Sequence, residues 1–150
     1  MAVFASCSYT QFRPWMGVPV RTSVGAPRHT PGYLLEHRMP QWTPRRDTLH
    51  LPYDEFRRAY RHQLHRTQRQ ALDQADILRA AAGVGDDVPL VLLCFEDLAT
   101  VGLWCHRTLL AEWISAKTGL EVPEYGDHLI ASPVTLPSAP AEPQLALAFD

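Results

Sequence analysis

Lysine is almost missing from this chain: of its fourteen basic residues thirteen are arginine, and Lys117 stands alone. Cysteine is scarce as well. Cys7, Cys94 and Cys105 are too few for a disulfide framework and read as free thiols of a reducing compartment. No apolar run approaches the ~20 residues that span a bilayer as a helix. The opening MAVFASCSYTQF carries neither the basic start nor the long apolar stretch of a secretory signal. The expected location is therefore the cytoplasm, with no membrane partner. The C-x2-C spacing common in zinc sites and the C-x5-R loop of thiol phosphatases are both absent. No metal is expected, and no cofactor is assigned.

What is present fits one globular domain. Hydrophobic residues make up 46% of the 150 and charged residues 20%, ordinary values for a packed α/β domain. Charge is unevenly spread. Residues 1–82 hold twelve basic and six acidic groups, whereas residues 83–150 hold two and ten. Arginine offers a planar fork suited to phosphate and carboxylate, although a GC-rich genome also writes Arg, Ala and Pro freely.

Val3-Phe4-Ala5 running into Ser6-Cys7-Ser8-Tyr9 reads as a short buried strand entering a hydroxyl-rich loop. Residues 17–23 form a second strand, and the Pro-punctuated stretch 32–44 has a weaker third signal at Tyr33-Leu34-Leu35. A helix begins near Pro52, with Phe56, Tyr60 and Leu64 continuing through Leu72, Ala75 and Leu78 towards Gly83. Its other face carries Arg57, Arg58, Arg61, Arg66 and Arg69 with His62 and His65. Such a face is usually just solvated, but it also suits a nucleic-acid backbone. Residues 89–95, PLVLLCF, are apolar without alternation, as in a central parallel strand covered on both faces. A further helix runs from about Cys105 to Lys117 and stops at Gly119, and residues 120–122 are a candidate last strand. Strands alternating with helices predict a Rossmann-like, mostly parallel sheet with helices on both faces. The predicted domain covers residues 1–130, followed by a Pro-rich flexible linker at 131–143 and a docking peptide at 144–150.

In such a sheet ligands sit at the carboxyl ends of the strands. Cys94 and Glu96 end one strand, and Cys105-His106-Arg107 opens the next helix. The helix N-terminus and Arg107 would favour an anion or a reactive thiolate at Cys105. Glu96 would serve as acid, base or ribose acceptor. Cys94, Glu96, Cys105, His106 and Arg107 are thus the candidate catalytic set. Ser8, Tyr9 and Arg21 are the candidate anion-binding groups. An alternative stays open: Cys94 as packing material, Glu96 paired to Arg107 or Arg21 to fix the loop, and His106 as a cap.

The C-x-E at Cys94–Glu96 and the C-H-R at 105–107 resemble the hallmark of the family called "domain of unknown function 488". Val20-Arg21-Thr22-Ser23 resembles its second-strand Arg segment, and Ser6-Cys7-Ser8-Tyr9 stands where that family usually has Gly-His-Ser. The resemblance covers roughly residues 1–125. It implies a Rossmann-like fold but no settled activity.

The chain ends in QLALAFD after the Pro-rich stretch. Gln144, Leu145, Leu147 and Phe149 resemble the Q-L-x-L-x-F peptide by which bacterial DNA-metabolism proteins dock on the β sliding clamp. Alternating large apolar residues on a tether suit a partner's groove. Two functions follow as expectations, both in a phage or bacterial setting. One is a nucleotide- or nucleic-acid-associated enzyme of DNA metabolism. The other is a non-catalytic adaptor that docks on the clamp.

Overall fold

A computed structural model describes residues 3–27, 31–95 and 106–125. Four strands form one all-parallel sheet in the order β1-β4-β2-β3. They are β1 (Phe4–Ser8), β2 (Val18–Arg21), β3 (His37–Arg38) and β4 (Leu90–Cys94). Helices α1 (Tyr53–Arg66) and α2 (Gln68–Ala81) lead into β4, and α3 (His106–Thr118) follows it. Every residue of β4 is buried, as its unbroken apolar sequence requires of a strand with cover on both sides. Beyond β1, Glu124 forms a parallel bridge to Ser6. The last extended contact therefore falls just after the expected residues 120–122.

The two faces of the sheet are covered differently. On one, Phe4, Val20, Leu90 and Leu92 pack under Phe56, Tyr60 and Leu64 of α1, Ala75 and Leu78 of α2, and Leu110 and Ile114 of α3. On the other, Ala5, Cys7, Val91 and Leu93 meet Phe12, Trp15, Met16 and Tyr125. All three α-helices thus contribute to the first cluster. The second is roofed by a 3-10 turn (Pro14–Met16) and loops, because the β1–β2 connection is too short for a longer helix. Gly17 closes that connection at φ 146°, where a Cβ would collide with the Pro89 carbonyl. Leaving out the side chain brings the turn close enough for Val18 N–H to donate to Pro89 O at 2.9 Å.

The single helix expected from Pro52 towards Gly83 is broken at Thr67, whose ψ is 12°. The Thr67 hydroxyl donates back to the Gln63 carbonyl at 3.0 Å, a competing bond that bends helices. The apolar stripe keeps phase across the bend, so periodicity alone did not reveal it. The third strand falls at His37–Arg38 rather than at Tyr33–Leu35. Tyr33 and Leu35 instead pack against the second core. Helix α3 matches its predicted span, and Gly119 ends it at φ 74°. At the amino ends of the strands Arg79 is 4% exposed. It donates to the Val3 carbonyl at 2.8 Å, to Gly85 O and to Val88 O, tying α2 to β1 and β4. Among the described residues no helix is long and apolar enough to cross a membrane.

Candidate thiol site at the strand tips

The connection after β1 crosses the second face to reach β2, whereas α3 leaves β4 on the first. Neighbouring strands whose connections part in this way open a crevice at their carboxyl ends. Alternation places Ser8, Cys94 and Thr22 in one row on the α3 side. Ser8 pairs with Cys94 in register, and Thr22 N–H donates to the Leu93 carbonyl at 3.1 Å. His106, in the first turn of α3, sits over this row.

The hydrogen bonds around His106 define a direction. The Thr22 hydroxyl has one proton and donates it to Leu93 O at 2.9 Å, since a carbonyl only accepts. Its lone pair then faces His106 Nε2 at 3.1 Å, so Nε2 carries the hydrogen and donates. In the neutral ring Nδ1 is left bare. Cys94 Sγ lies 3.5 Å from that nitrogen, within reach for the thiol to donate to it. This is the arrangement of a thiol, a base and a group that orients the base. Tyr60 meets the imidazole edge-on at 5.6 Å and anchors its own hydroxyl on the Trp42 carbonyl at 2.5 Å. Cys94 is 3% exposed.

Arg107, next along the helix, points elsewhere. Consecutive helical residues are about 100° apart, and this rotation carries the guanidinium to the β1 edge. There Nε and Nη2 donate to Glu124 at 2.9–3.2 Å, and Ser6 Oγ donates to the same carboxylate at 2.7 Å. The Arg107 side chain is fully buried and that of Glu124 one-third exposed. Arg107 therefore secures the helix start to the residues after it, and its charge is matched by Glu124.

The other sequence candidates are split by the sheet. Ser8 is buried and accepts from Gln11 N–H at 3.2 Å, closing the turn after β1. Tyr9 and Arg21 lie on the opposite face. Tyr9 hydrogen-bonds the Ser23 hydroxyl at 2.6 Å and meets Phe95 edge-on at 5.1 Å. Arg21 donates to Ser23 O at 3.2 Å and Val24 O at 2.7 Å. Burial pushes the Tyr9 phenol up to about 12 against the opposing Ser23 hydrogen bond. Burial, with Glu124 second, lifts the Cys7 thiol to about 12, that of an inert packing group. Glu96 and Cys105 lie outside the described residues, as do Gln144, Leu145, Leu147 and Phe149.

No family model, curated protein or solved structure matches the chain. The site must be read from its own residues. Two of them, Thr22 and Glu124, escaped the sequence reading. Thr22 had a signal, because it shares the face of Val18 and Val20 at a strand end. Glu124 had none, because its pairing with Arg107 and Ser6 is set by the fold.

Proposed function

We propose that this chain is a thiol-dependent enzyme acting on nucleotides or nucleic acid in DNA metabolism, with Cys94 as nucleophile and His106 as its base. The observation that carries the reading is the Thr22–His106–Cys94 hydrogen-bond chain at the tip of the central strand. Passing the Sγ proton to Nδ1 yields a thiolate beside an imidazolium, with Nε2–H still held by Thr22. Glu96, two residues past Cys94, is assigned as acid or base, and Cys105, just before His106, as a second thiol. Arg107 has the positioning role its contact with Glu124 defines. The likeness of the C-x-E and C-H-R pair to the domain of unknown function 488 fits this assignment but names no reaction.

Alkylation of the full chain with iodoacetamide, followed across pH by mass spectrometry, tests the pair. Cys94 should label in a lower pH range than an ordinary thiol, with Cys7 unlabelled as an internal control. His106→Ala should move the Cys94 profile upward. An unchanged profile removes the base and with it the enzyme.

A specific observation supports the second reading: Cys94 is nearly sealed. As an adaptor, the protein would use the α1 arginines on nucleic acid and the Gln144–Phe149 peptide on the sliding clamp, in the cytoplasm of a bacterium. Arg57, Arg58 and Arg61 are exposed. Deleting residues 144–150 should abolish clamp binding in a calorimetric titration while leaving the fold intact. Unaltered affinity ends the clamp assignment.

A further inference from the structure

A second feature lies on the face away from His106. Arg21 and Arg38 are register partners on adjacent parallel strands, so their side chains leave the sheet side by side on one face. Like charges placed directly opposite on neighbouring strands repel and cost stability. Among the described residues neither guanidinium forms an ion pair. Both line a groove of about 420 Å³, within the range of small-ligand sites. Arg21 is fixed there, because its bonds to the Ser23 and Val24 carbonyls hold the guanidinium before any ligand arrives. Arg38 is exposed. Tyr33 and Leu34 form an apolar wall, with Leu34 73% exposed. Among the described residues Glu36 is the one acid of the lining, beside His37.

We propose that this groove binds a phosphate ester, the phosphate bridging Arg21 and Arg38 and a nucleoside-sized body lying against Tyr33 and Leu34. Arginine forks suit phosphate oxygens, and one fork is already oriented. A bound dianion also turns the repulsion between the two strands into attraction to a shared partner. An exposed leucine on the wall gives a base or sugar an apolar surface that a bare anion would leave unused. The groove is separate from the Cys94–His106 pair, and it stands or falls by binding rather than by catalysis.

The test is a calorimetric titration of the full chain with a nucleoside monophosphate, inorganic phosphate and a short single-stranded oligonucleotide. The monophosphate should bind more tightly than inorganic phosphate. Arg38→Ala should weaken it about tenfold or more, as losing a charge-assisted pair does. Arg38→Glu should abolish it, and Arg45→Ala, at an exposed pair outside the groove lining, should leave it unchanged. Tighter binding of the oligonucleotide with the same Arg38 dependence identifies a strand as the source of the phosphate. Tighter binding of the mononucleotide identifies a free nucleotide. Equal affinity of wild type and Arg38→Ala, or no binding of any of the three, overturns the site. Inorganic phosphate binding as tightly as the nucleotide overturns the ligand class. Cys94 alkylation should be the same in Arg38→Ala as in wild type, so failure of the groove and failure of the thiol pair are told apart.

Discussion

The two sides of the strand tips differ in how they hold charge. On the α3 side Arg107 is fully buried and already matched by Glu124, and His106 is engaged from both ring nitrogens. On the opposite side Arg21 and Arg38 stand next to each other over a groove with neither charge matched by an ion pair among the described residues. All three are arginines packed beside the sheet, and composition cannot tell them apart. Burial can. A guanidinium taken out of water must be satisfied inside the protein, as Arg107 is by Glu124 and Arg79 by three carbonyls, whereas one at a groove can keep its capacity for a ligand. The lesson concerns adjacent residues too: His106 and Arg107 share a motif, yet one helical step sends them to different jobs.

The largest expected effect breaks the internal pair. Glu124→Ala leaves the Arg107 guanidinium buried without its carboxylate and should cost about 3 kcal/mol in urea denaturation. Arg107→Ala should cost less than its partner's removal, because Glu124 is one-third exposed and water can reach it. On the groove side Arg38→Ala should change stability by less than about 0.5 kcal/mol, or raise it, since a repulsion is relieved. Equal losses at Glu124 and Arg38 would erase the distinction between the two sides.

A second prediction uses the thiol under the second face. Cys7 loses its proton at about pH 9 when unfolded and only near 12 when folded. Between those values the native state binds more protons than the unfolded state, so stability falls as pH rises. One such group contributes about 1.4 kcal/mol per pH unit at its steepest. Tyr9, raised from 10.0 to about 12, joins from pH 10 upward. Denaturation midpoints measured from pH 8 to 11 should fall, and Cys7→Ala should remove most of the fall between 9 and 10. A flat midpoint over that interval in the wild type would show that Cys7 is not shielded.

Much of this architecture was legible from residues. The unbroken apolar run of β4, the glycine stop at Gly119 and the i+4 repeat of Phe56, Tyr60 and Leu64 each have a local cause, and the structure repeats them. The position of Cys94 at a strand end and His106 at a helix start followed from the same signals. The direction of side chains did not. Whether Arg107 meets Cys94 or Glu124 depends on rotation about α3 and on a bridge between residues 118 positions apart, Ser6 and Glu124. The bend at Thr67 likewise rests on one hydroxyl choosing the Gln63 carbonyl. The Arg21–Arg38 juxtaposition needed the register of a two-residue strand, which carries no periodicity to read.

A modest effect on stability is the most specific to the proposed chemistry. Thr22→Val keeps shape but removes the hydroxyl that accepts from His106 Nε2. The Leu93 carbonyl retains the Thr22 backbone N–H, so the stability loss should stay near 1 kcal/mol. Reactivity should suffer more than stability. With Nε2 no longer held as the donor, the tautomer bearing hydrogen on Nδ1 becomes accessible, and that form cannot accept the Cys94 proton. Alkylation of Cys94 should slow several-fold and shift to higher pH, and Thr22→Ser should restore it. A mirror variant on the other face, Ser23→Ala, should leave the alkylation profile where it was, because Ser23 bonds Tyr9 and the Gly25 carbonyl. If Thr22→Val and Ser23→Ala slow labelling equally, the imidazole is not oriented by Thr22, and the strand tips act as one loosened surface rather than two sides with separate roles.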